Sequence, residues 1–303
     1  MLYASVDKQL SRRNIMAAVD IFKSAIPRIR DILRTEGITG MDSMRHICLY
    51  LLSRYMTVDR VESLEIPARF AWETVLNEAL RKNGGSAFAL EGFFNTVEDC
   101  LFNHFTDFFE TDKFTFEVRD PLKHREILKI LDPLDMETVD LEVDILGYVY
   151  EQHLRTGSTA ARDLGQFFTD RALCEYMTAL CAPKFVSEGV PEYVCDPTMG
   201  TGGFLMSFIR YFDKKYPQQP IDWDKYQDRV QGCDTDNKVA GVARLNFFME
   251  THGSLADEFH TRDSMSLGLP REGYDVILAN MPFGIKGMNY DRAVENTPLH
   301  KVV

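Results

Sequence analysis

Tyr274–Gly284, YDVILANMPFG, is the stretch on which the reading of this chain turns. The apolar run Val276-Ile277-Leu278 predicts a buried strand, with Tyr274–Ala279 as its extent. The strand runs out onto an amide side chain, Asn280, followed by Met281, Pro282 and the aromatic Phe283. An amide acceptor, a proline-stiffened turn and a flat ring at a strand's carboxyl end suit gripping a planar base by its amino group. By itself a strand ending in Asn and Pro is an ordinary turn. What precedes the stretch decides how much weight it carries.

Working back from it, helix and strand alternate from Gly165 onward. GQFFTDR (165–171) opens a helix, capped by Thr169 or Asp170, that runs to Cys181 before Pro183. Tyr193–Cys195 is a short strand ending at Asp196, and a Gly-rich turn leads into a helix through FLMSFIRYFDKKY. Arg229–Cys233 is a second strand, ending at Asp234, and Asn237 starts a helix through VAGVARLNFFMETHG. Glu258–Thr261 is a third strand, running into Arg262-Asp263-Ser264, and Tyr274–Ala279 is the fourth. Strands separated by helices predict a parallel sheet with helices on both faces. Ligands on such sheets bind at the carboxyl ends of the strands. Asp196, Asp234, Asp263 and Asn280 all fall at those ends.

Asp196-Pro197-Thr198-Met199-Gly200-Thr201-Gly202-Gly203 is a strand, Gly-loop and helix unit. Its glycines let the backbone approach a ligand, and the helix that follows offers free N–H groups. No Gly-Lys-Ser/Thr follows, so it is not a P-loop. Nor does it match a dinucleotide fingerprint, because the preceding Asp would repel a pyrophosphate. An acidic residue there suits a ligand carrying a cation or an amino group; the alternative is a tight turn with a helix cap. Asp234 is placed to accept hydrogen bonds from ribose hydroxyls, although strand-end Asp is often a cap and Asp236 competes for that role. Asp263 could accept from an adenine amino group or merely shape the RDSM turn. Positive charge together with adenosine, and no pyrophosphate, describes S-adenosylmethionine.

Upstream, residues 1–135 read as almost wholly helical. Ile15, Val19, Phe22, Ile26, Ile29 and Leu33 form an apolar stripe that Pro27 should kink or split. Ser43 is a plausible N-cap for a helix through HICLYLLSRYM, and ARFAWETVLNEALRK forms another that stops at Asn83-Gly84-Gly85. Phe94, Val97, Leu101, Phe105 and Phe108 share a face of a further helix. That aromatic-rich stretch reads as core packing rather than base stacking. Lys129–Asp140 reads as a connector containing Pro and acidic residues, Val143–Leu154 as helix, and RTGSTAARDL as a flexible segment. A border therefore falls between about 135 and 165, dividing the chain into a helical domain, 1–140, and an α/β domain, 141–303.

Composition narrows the classes. Hydrophobic content of 45% with 26% charged residues is that of a globular protein, not a disordered one. No apolar run is long enough to span a membrane, and the N-terminus lacks a secretion signal. None of the six cysteines forms a C-x-x-C, which points to reduced thiols in a cytoplasmic protein and to no zinc or other metal site. The net charge of −12 argues against an independent grip on a polyanion, so a DNA substrate would need a partner's help.

GQFFTDR, DPTMGTGGFL, GCD, RDS and NMPFG, in this order, resemble the amino-methylating adenine DNA methyltransferases. Together with LGYVYEQHL in the segment before them, they look most like the modification subunit of type I restriction–modification systems. The resemblance is specific from about 144 to 287. It implies a helical N-terminal domain followed by a doubly wound, mostly parallel, Rossmann-like methyltransferase sheet. It implies S-adenosylmethionine as cofactor, with Gln166, Phe167, Phe168 and Thr169 over its methionine moiety. Asp196, Pro197, Thr198, Gly200, Thr201 and Gly203 would hold its amino-acid part, Asp234 the ribose and Asp263 the adenine. Asn280, Met281, Pro282 and Phe283 would receive a target adenine flipped from double-stranded DNA. It also implies a DNA-specificity subunit and a restriction subunit as partners, and no membrane.

There are two departures. The family usually has proline where this chain has Met281; the backbone carbonyl used there is retained, so rigidity should suffer more than chemistry. The family fold also continues with strands and helices that residues 284–303 cannot supply, so the sheet is expected to be incomplete at its C-terminal end. Two other readings stay open: a cofactor- or partner-binding module without catalysis, and a protein glutamine-N5 methyltransferase, whose chemistry uses a similar turn.

Overall fold

The computed structural model describes residues 12–80, 117–140, 143–156, 169–264, 268–269 and 273–281. Two compact units result, with a border between Ile145 and Leu146.

The first unit is helical. Its elements are α1 (Arg12–Thr35), α2 (Gly40–Tyr55), α3 (Val58–Ser63), a 3-10 turn (Ala68–Phe70), α4 (Trp72–Leu80), α5 (Pro121–Leu131) and α6 (Met136–Asp140). The apolar stripe of α1 is buried at Phe22, Ile26, Ile29 and Leu33, and α1 packs on α2, α5 and α6. Of the two outcomes expected at Pro27, a kink or a split, the split does not occur: α1 is one helix of 24 residues. Pro27 lies on the exposed face, where water can satisfy the carbonyl that its missing N–H leaves. Ser43 is not the cap of α2: Thr39 precedes the helix in extended conformation, and Ser43 is buried within the first turn. The expected connector 129–140 is largely helical. Asp135 caps α6 by accepting from the Thr138 N–H at 3.1 Å and the Thr138 hydroxyl at 2.7 Å. The stop at Asn83-Gly84-Gly85 and the Phe94–Phe108 helix lie outside the described residues.

The second unit holds α7 (Ile145–Thr156, which straddles the border), α8 (Arg171–Cys181), β1 (Phe185–Ser187), β2 (Val190–Pro191), β3 (Val194–Asp196), α9 (Gly203–Lys215), α10 (Trp223–Tyr226), β4 (Val230–Asp234), α11 (Asn237–Glu250), β5 (Phe259–Thr261) and β6 (Val276–Ile277). Of the two candidate caps for α8, Asp170 fills the role, accepting from the Ala172 N–H at 2.9 Å. β1 and β2 form a small antiparallel hairpin that the sequence reading did not foresee.

Four strands make a wholly parallel sheet in the order β5-β4-β3-β6. Its registers are Cys195 opposite Gln231, Cys233 opposite His260, and Cys195 opposite Ile277. The pairing of β6 is shorter than its apolar run, but the Leu278 N–H continues the ladder onto the Cys195 carbonyl at 3.0 Å. The chain moves outward from β3 through β4 to β5, then returns to the other side of β3 as β6. This reversal creates a switch point between β3 and β6, where open parallel sheets bind their ligands. The crossover helices α9 and α11 share one face. They pack on each other and on the sheet around Phe204, Phe208, Phe212, Phe247 and Phe259. A buried ion pair joins them, with Arg210 Nε 2.5 Å from Glu250 Oε1. No helix among the described residues is long and apolar enough to cross a membrane.

Candidate functional site

Each parallel strand delivers a polar side chain at its carboxyl end, and one loop joins them. β3 buries Val194 and Cys195 completely and ends on Asp196, which is 1% exposed. Asp196 accepts the Thr198 N–H at 3.0 Å, so the chain turns back at once. From there the 197–202 loop reaches every other strand end. The Met199 N–H donates to the Cys233 carbonyl at 2.8 Å, and the Gly200 N–H donates to Asp234 Oδ2 at 3.1 Å. Gly200 has φ +55, a conformation that glycine adopts without strain. Pro197 offers its carbonyl to the Ser264 hydroxyl at 2.6 Å, just beyond β5. The Thr198 hydroxyl donates to the Asn280 carbonyl at 3.2 Å, and the Met281 sulfur lies 3.9 Å away. Asp234 in turn accepts the Asp236 N–H at 2.8 Å, while Asp236 caps α11.

α9 begins where this loop ends. Gly202, at φ +86, makes the turn into it, and Gly203 lies so close to α8 that a β-carbon there would touch Cys174 Sγ at 3.5 Å. Thr201 is buried, and its carbonyl accepts from Asn246 Nδ2 at 2.9 Å. The loop is therefore held from below by α11 as well as laterally by the strands.

Both strand-end carboxyls are shifted by their surroundings. Burial pushes the Asp196 carboxyl up to about 7; the Thr198 N–H opposes the rise and the neighbouring Asp234 charge adds to it. Asp234 is also raised, by burial first, against the N–H groups of Asp236 and Gly200. Neither carboxylate forms an ion pair among the described residues. Two such groups side by side favour a ligand that brings positive charge and hydrogen-bond donors. No cluster of His, Cys, Asp and Glu suited to a metal ion occurs among the described residues.

Asn280 is half-buried at the end of β6, and its Nδ2 donates to the Thr169 hydroxyl at 2.9 Å. Thr169, Asp196, Pro197, Thr198, Gly200, Thr201, Gly203, Asp234, Asn280 and Met281 are thus joined through one network or its anchors. Asp263 stands half-buried beside Ser264 at the end of β5. Gln166, Phe167, Phe168, Pro282 and Phe283 lie outside the described residues. Sequence reasoning missed Tyr150 on α7. Its hydroxyl is raised by burial and further by the charges of Asp236 and Asp234. Its signal was the LGYVYEQHL segment, read as helix and as part of the resemblance but with no residue of it singled out. Asn246 was missed too, because nothing in a helical run marks the residue that will reach a loop carbonyl.

Comparison with known proteins bears on the family and the fold. A model of the N-6 DNA Methylase family matches residues 141–302. The type I restriction enzyme EcoEI methylase subunit of Escherichia coli is 25% identical over 300 residues, which cover 91% of this chain and 58% of that protein. A modification subunit from Vibrio vulnificus superposes with a TM-score of 0.62 at 17% identity, covering 92% of this chain and 63% of its own. The type I restriction–modification methyltransferase subunit from Streptococcus thermophilus gives 0.60 at 17% identity, covering 92% and 66%. The chain thus spans 58% of the length of its E. coli relative. At such identities the solved structures speak for the fold, and it is the α/β fold with a parallel, Rossmann-like sheet that the alternation of elements implied. The ordered motifs from GQFFTDR to NMPFG, and the family match over the same region, lead to one assignment: this chain belongs to the N-6 DNA methylase family.

Proposed function

We propose that the protein is an adenine-N6 DNA methyltransferase of the modification-subunit kind. It would move a methyl group from S-adenosylmethionine to an adenine flipped out of double-stranded DNA. The observation that carries this reading is that one loop joins the buried carboxyl of Asp196 and the half-buried carboxyl of Asp234 to the main chain of Asn280.

The donor set fits the cofactor. S-adenosylmethionine supplies an electrophilic sulfonium methyl, and it presents an ammonium group and ribose hydroxyls. Asp196, with the Gly200–Gly203 backbone, would hold the cationic amino-acid end, and the raised carboxyls would be drawn to their ionised form by it. Asp234 would accept from the ribose and Asp263 from the adenine, while Gln166–Thr169 would cover the methionine part. Asn280 Oδ1 and the Met281 carbonyl would accept the two hydrogens of the target amino group and draw them out of the ring plane. The nitrogen lone pair, otherwise delocalised into the ring, would then localise toward the methyl. Pro282 would stiffen the turn and Phe283 would stack on the base. Positioning and fixed dipoles would carry most of the rate, without a metal.

Residues 1–140 would form the helical domain and 141–303 the catalytic one. A net charge of −12 leaves phosphate contacts to other subunits. The partners would be a DNA-specificity subunit and a restriction subunit, in the cytoplasm.

Calorimetric titration of S-adenosylmethionine into the purified chain, followed by transfer of labelled methyl to DNA, tests the reading. Asp234→Ala should abolish binding, and Asn280→Ala should retain it while losing about a hundredfold or more in transfer. Label that appears in protein rather than in DNA would replace this reading with the glutamine one.

A further inference from the structure

We infer that Thr169 is a positioning residue for Asn280, setting which end of its carboxamide faces the substrate amino group. The inference rests on the function proposed above and adds a role to a residue assigned there only to the cofactor.

A carboxamide has an acceptor end and a donor end, and a half-turn about its last torsion exchanges them. Only the acceptor end can receive a hydrogen from an amino group. The donor end would set N–H against N–H. A bare turn of the Asn-Met type has no means of choosing between the two. Here one end is engaged: Asn280 Nδ2 donates to Thr169 Oγ1, which accepts at 2.9 Å. That occupies the donor end and leaves Oδ1 at the opposite end of the planar amide. The Asn280 backbone is fixed separately, through its carbonyl, by the Thr198 hydroxyl at 3.2 Å. Two threonines from different parts of the chain therefore grip one residue, one by its side chain and one by its main chain.

The anchor is firm. Thr169 immediately precedes Asp170, the N-cap of α8, whose side chain holds the Ala172 N–H and whose carbonyl holds the Cys174 N–H at 3.0 Å. α8 packs along α9, the helix that follows the Gly loop. The threonine β-branch restricts χ1, so the hydroxyl is presented in few directions. Valine reproduces the shape of threonine without an oxygen, and serine retains the oxygen without the branch.

The test compares T169V and T169S with the parent chain in single-turnover methyl transfer to adenine, alongside titration of S-adenosylmethionine. The expected result is a loss of about tenfold in the transfer rate of T169V at saturating cofactor, over and above any change in cofactor affinity, with rescue by T169S. A T169V variant that transfers at the parent rate overturns the inference. So does one whose loss is wholly a weakening of cofactor affinity. A second readout does not depend on activity. With asparagine labelled by 15N, the Asn280 side-chain amide, identified by its disappearance in N280D, should exchange its protons more slowly in the parent and T169S than in T169V. Equal exchange in all three overturns the contact itself. A parent chain that methylates no adenine would instead overturn the proposed function, and the exchange experiment would still decide the contact.

Discussion

Gly232 and Met199 leave no room between them: a β-carbon on Gly232 would lie 2.3 Å from the Met199 sulfur and 2.9 Å from Leu205 Cδ1. The missing side chain in β4 is what lets Met199 fold under the loop and keep its N–H on Cys233. Gly232→Ala should therefore overpack the site, at a cost of about 1–3 kcal/mol. Thermal denaturation should record a lower midpoint. Titration should show weaker S-adenosylmethionine binding, since the displaced loop carries the Gly200 N–H with it.

Asp196→Asn should separate stability from binding. The folded carboxyl titrates near 7 against 3.8 for its ordinary value, because it is buried. Between those values the folded state binds more protons than the unfolded one, so stability falls as pH rises through about 7. At pH 8 the ionised group costs stability that a neutral amide would not. The Asn variant should melt at a higher temperature than the parent at pH 8, with the difference shrinking toward pH 5, and should bind S-adenosylmethionine more weakly. Equal melting at pH 8 would contradict the argument.

His46 should act with the opposite sign. It is buried in the helical unit, with Nδ1 2.7 Å from the Asp42 carbonyl and Nε2 accepting the Glu117 N–H at 3.2 Å. That arrangement requires the neutral ring with its proton on Nδ1. Burial holds its pKa below the ordinary 6.5. As pH falls below 6.5 the unfolded chain takes up a proton that the fold refuses, so this contribution is full above 6.5 and is lost on acidification. Urea titrations at pH 7 and pH 5.5 should show a loss for the parent that is reduced in His46→Gln.

Arg210 and Glu250 join α9 to α11 with both side chains under a tenth exposed. Removing one charge takes from the other its closest partner, so Arg210→Met or Glu250→Met should each be destabilising, by up to about 3–5 kcal/mol, with Asp213 near Arg210 softening the loss in Glu250→Met. The double variant should recover most of that loss, because two apolar side chains can pack where a pair of ions was desolvated. A double variant as unstable as the sum of the singles in denaturant unfolding would argue against the pair acting as a unit.

The strands and the polar residue closing each of them were readable because they combine apolar runs with Asp, Asn and Gly at a period the parallel sheet imposes. The start of α2 was not. Thr39 and Ser43 are both capping types, and only packing, which buries Ser43, distinguishes them. Asp135 was read as part of a connector because Pro133 sits beside it; its work as the cap of α6 depends on a hydroxyl three residues on. The hairpin of β1 and β2 is too short to show a period. At the site, the residue types were visible but their couplings were not. Thr169 and Asn280 are 111 positions apart, and no local pattern links them.

The loop between Asp196 and Gly203 has a consequence for how the site tolerates change. Its main-chain and hydroxyl groups meet the ends of the three other parallel strands, so it is shared by all of them. Alterations in the outer turns should then remain local and adjustable, leaving room for variation in what lies beyond them. An alteration in the loop is transmitted to each of its neighbours together. The arrangement works like an arch, in which side stones can be recut individually while the keystone fixes the shape of the whole.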